Sequence, residues 1–363
     1  METTMPPSQS TSVPQSKRGT SLTESFAELL DFRFLIYQSI VHPLEAIETY
    51  LPHLSVFWSA SKIFTPDQDI PHLQGRVILV TGGNTGLGKE SVRQLAQHHP
   101  AHIWLAARTS AKAQVAISEI NDAVPSAKLT FLQLDLSSFR SIASAARDFT
   151  SQSSRLDILL NNAGIMAVPE GMTEEGYEIQ FGTNHLGHAL LTKLLLPTLL
   201  STAEKGTDVR IVNLSSEGHK LAPTGGILFD KSELDAQGTW ARYGQSKLAN
   251  ILHARELARR YPSVTAVSVH PGFVRTELYK PNQETNLLVR CGTSVMGPFI
   301  MRDVKQGALN QLWAVAATKG DVVNGAYYKP VGQLSNGSGY AHDRSLARRL
   351  WEWTEKELVA QGY

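Results

Sequence analysis

The stretch Arg-Val-Ile-Leu-Val-Thr-Gly-Gly-Asn-Thr-Gly-Leu-Gly at 76–88 decides how the rest of the chain is read. Five apolar or β-branched residues end at Thr81, and three glycines at 82, 86 and 88 follow before helical periodicity sets in. A β-strand running into a glycine turn and a helix opens a βαβ unit. Working outward, short β-rich runs recur at 102–107, 128–134, 156–160, 209–214 and 264–269, with a seventh expected at 326–329. Helical patterns at 86–98, 111–123 and 139–151 separate the early ones. The runs are almost continuously apolar, as strands buried on both faces must be. This alternation predicts an α/β fold: a doubly wound parallel sheet of about seven strands with helices on both faces. Ligands of such sheets bind beyond the carboxyl ends of the strands.

The 363 residues carry 34 Lys and Arg against 33 Asp and Glu, a net charge of +1, which points to no nucleic-acid partner. Cys291 is the one cysteine, so no intrachain disulfide can form and a reducing, cytoplasmic setting fits. Residues 1–20, rich in Ser, Thr, Pro and Gln, read as a disordered tail. Residues 21–73 read as a helical extension, and 74–363 as a single domain without a dividing linker. Within 22–64, Phe26, Leu29, Leu30, Ile36, Ile40, Leu44 and Ile47 follow helical spacing, while Arg33, Pro43, Glu45, Glu48 and Pro52 interrupt every window of membrane-spanning length. Packing against the main domain is the expected role of this segment, with peripheral membrane contact as the alternative.

The glycines leave no side chain between backbone N–H groups and an approaching pyrophosphate, and the helix N-terminus adds partial positive charge. Their spacing, Gly-x-x-x-Gly-x-Gly, is not the Gly-x-Gly-x-x-Gly fingerprint, and a plain tight turn is the competing explanation. An NAD site places a carboxylate about 20 residues beyond the glycines. From Ser91 through Ser118 this chain has none; Arg108 and Lys112 stand there instead. A guanidinium can grip a 2′-phosphate in a forked geometry, so the expected cofactor is NADP(H), unless Arg108 is only a solvated surface residue.

Tyr243 and Lys247 share a face of the helical stretch 241–252. Lowering a tyrosine's ionisation by about 2 pH units takes roughly 2.7 kcal/mol. An ammonium at about 4 Å supplies up to roughly 4 kcal/mol at an effective dielectric near 20. The run 209–216 ends a strand in Ser215 and Ser216, where a hydroxyl can donate to a carbonyl oxygen gaining charge, or simply cap the next turn. Asn213-Leu214-Ser215 also fits a glycosylation sequon, which a buried strand keeps from modification. His185 and His188 lack a third ligand of suitable spacing, so no metal is expected.

Together, Thr-Gly-x-x-x-Gly-x-Gly, Asn-Asn-Ala-Gly at 161–164, the serine-ended strand, Tyr-x-x-x-Lys and His-Pro-Gly-Phe-Val-Arg-Thr at 270–276 resemble the short-chain dehydrogenase/reductase family over roughly 74–330. Asn-His-Leu-Gly-His at 184–188 and Ser-Lys-Leu-Ala-Asn at 246–250 look like its retinol-dehydrogenase-like branch. The resemblance implies an oxidoreductase that interconverts a ketone or aldehyde with an alcohol. Tyr243 would exchange the proton, Lys247 would assist it and bind the nicotinamide ribose, Ser216 would polarise the carbonyl, and Asn184 would anchor a proton-relaying water. It further implies cofactor contacts at Gly82, Thr85, Gly86, Leu87, Gly88, Asp135, Asn162, Ala163, Val274 and Thr276, with Asn161 tying strands together. Ser216 and Tyr243 stand 27 positions apart, about twice the commoner separation, so 217–240 should form a loop over the substrate pocket, and the choice between Ser215 and Ser216 stays open. Tyr279, Met296, Phe299 and Ile300 in 277–301 suit a hydrophobic small molecule, or ordinary packing equally well. The architecture looks like fungal stand-alone reductases, many of which serve secondary metabolism. Family members are often dimers or tetramers, leaving homo-oligomerisation open, and an inactive dinucleotide-binding regulator or a non-redox enzyme on this fold are the competing readings.

Overall fold

The computed structural model of the protein describes residues 64–274 and 303–363. The expected extension lies outside them for the most part, and a single turn at Pro66–Asp69 is what they show of it. Seven strands fall where the apolar runs place them: β1 (Val77–Thr81), β2 (His102–Ala107), β3 (Leu129–Gln133), β4 (Ile158–Asn161), β5 (Arg210–Leu214), β6 (Thr265–Val269) and β7 (Tyr327–Lys329). An eighth, β8 (Gln333–Ser335), was not expected. Its three residues are largely exposed, and it pairs antiparallel with β7 at the sheet edge, where no apolar run is needed to hold it. The order is β3-β2-β1-β4-β5-β6-β7-β8, with every pair before the last parallel.

Alternation along the strands divides the core in two. Leu79, Trp104, Leu132, Leu159, Ile211 and Ala266 face one layer, and Ile78, Ile103, Leu105, Leu160, Val212 and Val267 face the other. The second layer is covered by α1 (Gly86–Ala96), α2 (Ser110–Ala123) and α6 (Val304–Ala316). The first is covered by α3 (Phe139–Gln152), α4 (Gly187–Glu204), α5 (Thr239–Arg260) and α7 (Arg344–Ala360). The run through α4 is long and apolar enough to cross a membrane, yet Leu190, Leu191, Leu195 and Leu199 are wholly buried in that core.

The chain leaves β1 toward β2 and β3, then returns to place β4 on the opposite side of β1. In doubly wound sheets the ligand crevice opens above the carboxyl ends of the strands at such a switch point, here β1 and β4. The glycine turn 82–88 and the segment 162–164 lie there.

Candidate active site

The glycine turn is shaped by backbone crowding. Gly82 has φ 65°, a left-handed conformation that a β-carbon disfavours. A Cβ on Gly88 would run into the Gly82 carbonyl oxygen and stand 2.5 Å from Asn162 Nδ2. Thr85 precedes α1 in extended conformation without capping it through its side chain, and no acid occupies the first turn, which leaves partial positive charge facing the crevice. Such a bare helix end framed by glycine suits a dinucleotide pyrophosphate. On its far side Leu87 meets Val274 at Gly307, where a Cβ would stand 2.9 Å from Leu87 Cδ2 and would overlap Val274. Thr276 lies outside the described residues.

Thr81 is the hub beneath this turn, a role its place in the motif did not reveal. Its Oγ1 accepts the N–H groups of Asn162 and Ala163, each at 2.9 Å. The Asn162 side chain donates to the Thr81 carbonyl at 2.8 Å and accepts from Gln311 Nε2 at 3.2 Å. That amide is thereby held in place by the protein, with one proton and one lone pair still to offer. Asn161 does tie strands, donating to Asn213 Oδ1 at 2.8 Å and to Thr192 Oγ1 at 3.1 Å. Asn213, the sequon asparagine, is correspondingly buried.

At the carboxyl end of β2, Arg108 and Lys112 are exposed beside the N-terminus of α2, whose N-cap Thr109 makes no side-chain cap and whose first turn holds no acid. Asp135 lies two residues beyond β3, where its Oδ1 accepts from Ser137 N at 2.9 Å and Ser137 Oγ at 2.6 Å.

Tyr243 and Lys247 lie one turn apart on α5, both almost fully buried, with Lys247 Nζ 5.8 Å from the phenol ring centroid. Lys247 Nζ donates to the Leu214 carbonyl at 3.3 Å. Burial lowers the ammonium from 10.5 to about 8, so it still carries its charge at neutral pH. The two serines take different tasks. Ser215 Oγ donates to the Lys247 carbonyl at 2.8 Å and is buried, so its hydroxyl is spent on holding α5. Ser216 Oγ accepts the Gly218 N–H at 3.0 Å, which leaves the hydroxyl proton to donate outward. A Cβ on Gly218 would stand 2.7 Å from Tyr243 Cε1 and 3.3 Å from Ser216 Oγ, so the tyrosine ring and the serine hydroxyl both close on this glycine.

Asn184 sits where the helical run leading into α4 departs from regularity. Gly182–Leu186 forms a π turn, with the Gly187 N–H reaching back to the Gly182 carbonyl, a distortion frequent at functional sites. The Asn184 side chain donates to the Ile165 carbonyl and to Ser246 Oγ, both at 2.9 Å, and accepts from Ile165 N at 2.8 Å. A Cβ on Gly164 would stand 3.1 Å from Asn184 Oδ1 and 3.2 Å from Lys247 Nζ, which brings β4, the π turn and α5 together.

The histidine pair parts company. His185 Nε2 bonds Thr354 Oγ1 at 3.1 Å, whereas His188 lies 2.9 Å from Thr81 Oγ1 through Nε2 and 3.0 Å from the Asn184 carbonyl through Nδ1. The Asn184 carbonyl can only accept, so Nδ1 carries the ring proton and Nε2 accepts from the Thr81 hydroxyl. Burial, reinforced by the Lys247 charge, pushes His188 down to about 4, consistent with this neutral form.

The comparisons agree with this geometry. Residues 76–287 match the short chain dehydrogenase family model. A short-chain dehydrogenase/reductase of Aspergillus calidoustus, drtF, is 41% identical over 306 residues, covering 80% of this chain and 95% of its own. Mouse retinol dehydrogenase 12 is 38% identical over 297 residues, covering 80% and 88%. A solved structure from Mycobacterium paratuberculosis superposes with TM-score 0.64 at 30% identity, covering 82% of this chain and 97% of that one. The chain belongs to the short-chain dehydrogenase/reductase family, within its retinol-dehydrogenase-like branch. It is an oxidoreductase of that family, which uses a nicotinamide dinucleotide and acts on a small molecule.

Proposed function

We propose that the protein is an NADP(H)-dependent oxidoreductase interconverting a ketone or aldehyde with an alcohol on a hydrophobic small molecule, with Ser216, Tyr243, Lys247 and Asn184 as its working groups. The observation that carries this reading is the approach of the Ser216 hydroxyl and the Tyr243 ring to Gly218, with a buried ammonium one turn along α5 from the phenol. In the reductive direction Ser216 donates a hydrogen bond to the substrate carbonyl oxygen, and Tyr243 delivers a proton to that oxygen as it becomes an alkoxide. Lys247 favours the phenolate left behind, and Asn184 holds the end of the route by which a proton returns.

The nicotinamide, when bound, supplies or accepts the hydride. Gly82, Thr85, Gly86, Leu87 and Gly88 would hold its pyrophosphate, Asp135 the adenine, Asn162 and Ala163 the adenosine-side ribose, and Val274 and Thr276 the carboxamide. Arg108 and Lys112, flanking an uncapped helix end with no acid, favour the 2′-phosphate of NADP(H). Met166, Ala167 and Trp240 pack around Tyr243, with the Trp240 ring edge-on at 6.3 Å, which supports an apolar substrate. A place in secondary metabolism rests on the resemblance to fungal stand-alone reductases.

Purified protein is incubated with NADPH or NADH and a panel of aromatic and aliphatic carbonyls, and the nicotinamide absorbance is followed. The expected result is consumption of NADPH by the wild type. Tyr243→Phe should reduce turnover by about a thousandfold while NADPH affinity holds within about threefold. Undiminished turnover in that variant would refute the assignment, and tight NADPH binding with no turnover in the wild type would favour a regulatory protein.

A further inference from the structure

Ser216 can polarise a carbonyl only if its hydroxyl hydrogen, rather than a lone pair, faces the substrate. The turn after β5 is built to that end. Gly218 N–H occupies a lone pair of Ser216 Oγ at 3.0 Å. The Ser216 carbonyl oxygen lies 3.0 Å from the His219 backbone N–H and 2.6 Å from His219 Nδ1. The other ring nitrogen, Nε2, accepts the Ser338 backbone N–H at 2.9 Å. A backbone amide can only donate, so Nε2 carries no proton, Nδ1 does, and Nδ1–H donates to Ser216. This tautomer is fixed by geometry.

His219 is fully buried, and its ring meets Tyr327 on β7 edge-on at 5.2 Å. The Tyr327 hydroxyl donates to Glu217 Oε1 at 3.0 Å, and Glu217 also pairs with Lys220 at 3.0 Å and Lys329 at 3.7 Å. The segment that carries Ser216 is thus tied across to the β7–β8 edge, more than a hundred residues away in sequence. Neither the hydride chemistry nor the cofactor cradle calls for these contacts.

We infer that His219 is a positioning residue: bridging Ser338 to the Ser216 carbonyl, it holds the Ser216 peptide so that the hydroxyl donates into the substrate position. This rests on the assignment of Ser216 as the carbonyl-polarising group. His219→Asn keeps a donor near the place of Nδ1, His219→Gln keeps an acceptor near the place of Nε2, and His219→Leu removes both. NADPH and isatin, or whichever carbonyl of the panel the wild type reduces fastest, serve as probes.

With His219→Gln, kcat should fall about 30-fold while KM and NADPH affinity hold within about threefold, and His219→Asn should recover most of the loss. In a Ser216→Ala background, His219→Gln should change kcat by less than about twofold, because both substitutions act through one hydroxyl. Equal kcat in the Asn and Gln variants, or a full 30-fold loss persisting without the Ser216 hydroxyl, would overturn the inference; should His219→Leu fail to fold, the Asn and Gln pair decides. A ¹⁵N spectrum of the wild type should show His219 protonated at Nδ1 alone, and a proton on Nε2 would overturn the bridge whatever the activity. A wild type that reduces no carbonyl would overturn the oxidoreductase reading, and this role with it, while leaving the spectrum to report on the bridge itself.

Discussion

The two ends of the parallel sheet handle charge in opposite ways. At the amino ends of the strands, Asp157 is completely buried and takes Arg155 Nε at 2.7 Å, Arg155 Nη2 at 2.8 Å, Arg76 Nη1 at 3.1 Å and the Val77 N–H at 2.8 Å. Arg210 is answered as fully, by Asp208 Oδ2 at 2.6 Å and by the carbonyls of Ala314 and Ala317. At the carboxyl ends, α1 and α2 start uncapped, and Lys247 is buried with no carboxylate at ion-pair distance among the described residues. The amino end spends its charges on the fold; at the carboxyl end Glu217 is paired with Lys220 and Lys329, but the starts of α1 and α2 and the Lys247 ammonium are left without an acid. Lys247, buried without an acid beside it, stands where the proposed chemistry needs a perturbed group.

Removing a group from the unfinished end should cost rate with little cost in stability. Ser216→Ala is expected to lower kcat by about a hundredfold to a thousandfold, or roughly 2.7–4 kcal/mol of barrier. Its melting temperature should stay within about 2 °C of the wild type, because only a short turn loses its cap. Steady-state kinetics beside a thermal melt tests both halves. A large fall in Tm would erase the distinction between the two ends.

Lys247 sharpens the contrast, because here the unfinished end destabilises the fold. Between pH 8 and 10.5 an unfolded lysine keeps a proton that the folded one has released, so stability owed to this position rises with pH across that window. Below pH 8 the buried charge costs up to about 3 kcal/mol. Nucleotide-free Lys247→Met should accordingly be inactive yet more stable than the wild type at pH 7. Its advantage should shrink by about 1.4 kcal/mol per pH unit above 8. Urea titrations at pH 7, 8, 9 and 9.5 follow the gap, and one that stays constant would show that Lys247 is not desolvated.

How much of this was legible in the sequence depended on how far apart the partners lie. Strands buried on both faces announce themselves as apolar runs, so β1 to β7 could be placed, whereas exposed β8 carries no such signal. Glycines, Tyr243, Lys247 and the serine pair declare themselves through local spacing. The family resemblance already favoured Ser216, and the different bonds of the two serines needed the fold, since only the structure shows the Ser215 hydroxyl spent on the Lys247 carbonyl. Thr81, His188 and His219 were invisible as site elements because their partners lie on other elements: Thr81 meets Asn162, Ala163 and His188, and His219 meets Ser338. The π turn at Asn184 was hidden too, because one extra residue in a helical turn barely disturbs the apolar pattern of a long buried helix.

The saturated end gives the next prediction, opposite in kind to Ser216→Ala. Asp157→Ala leaves the Val77 N–H without its buried acceptor and releases Arg76 and Arg155 to solvent they already half reach. About 2 kcal/mol of stability should be lost, a fall in Tm of roughly 4–8 °C for a domain of this size. Turnover measured well below the melt should be unchanged. A selective loss of kcat would mean the two ends are coupled through the sheet.

The smallest expected effect lies at the rim of the crevice, where the unfinished end meets water. Arg108 is exposed, so the grip on a 2′-phosphate proposed for it would be shared with solvent and weakened by salt. Arg108→Ala should weaken NADPH binding about tenfold, roughly 1.4 kcal/mol, and leave NADH within about twofold. Lys112 keeps part of the attraction, so the loss should stop short of abolishing preference. Nicotinamide fluorescence titrations at low and high salt measure it, and the NADPH penalty should narrow as salt rises. Equal losses for the two nucleotides would place Arg108 outside the cofactor site and leave the choice between them to the uncapped helix end alone.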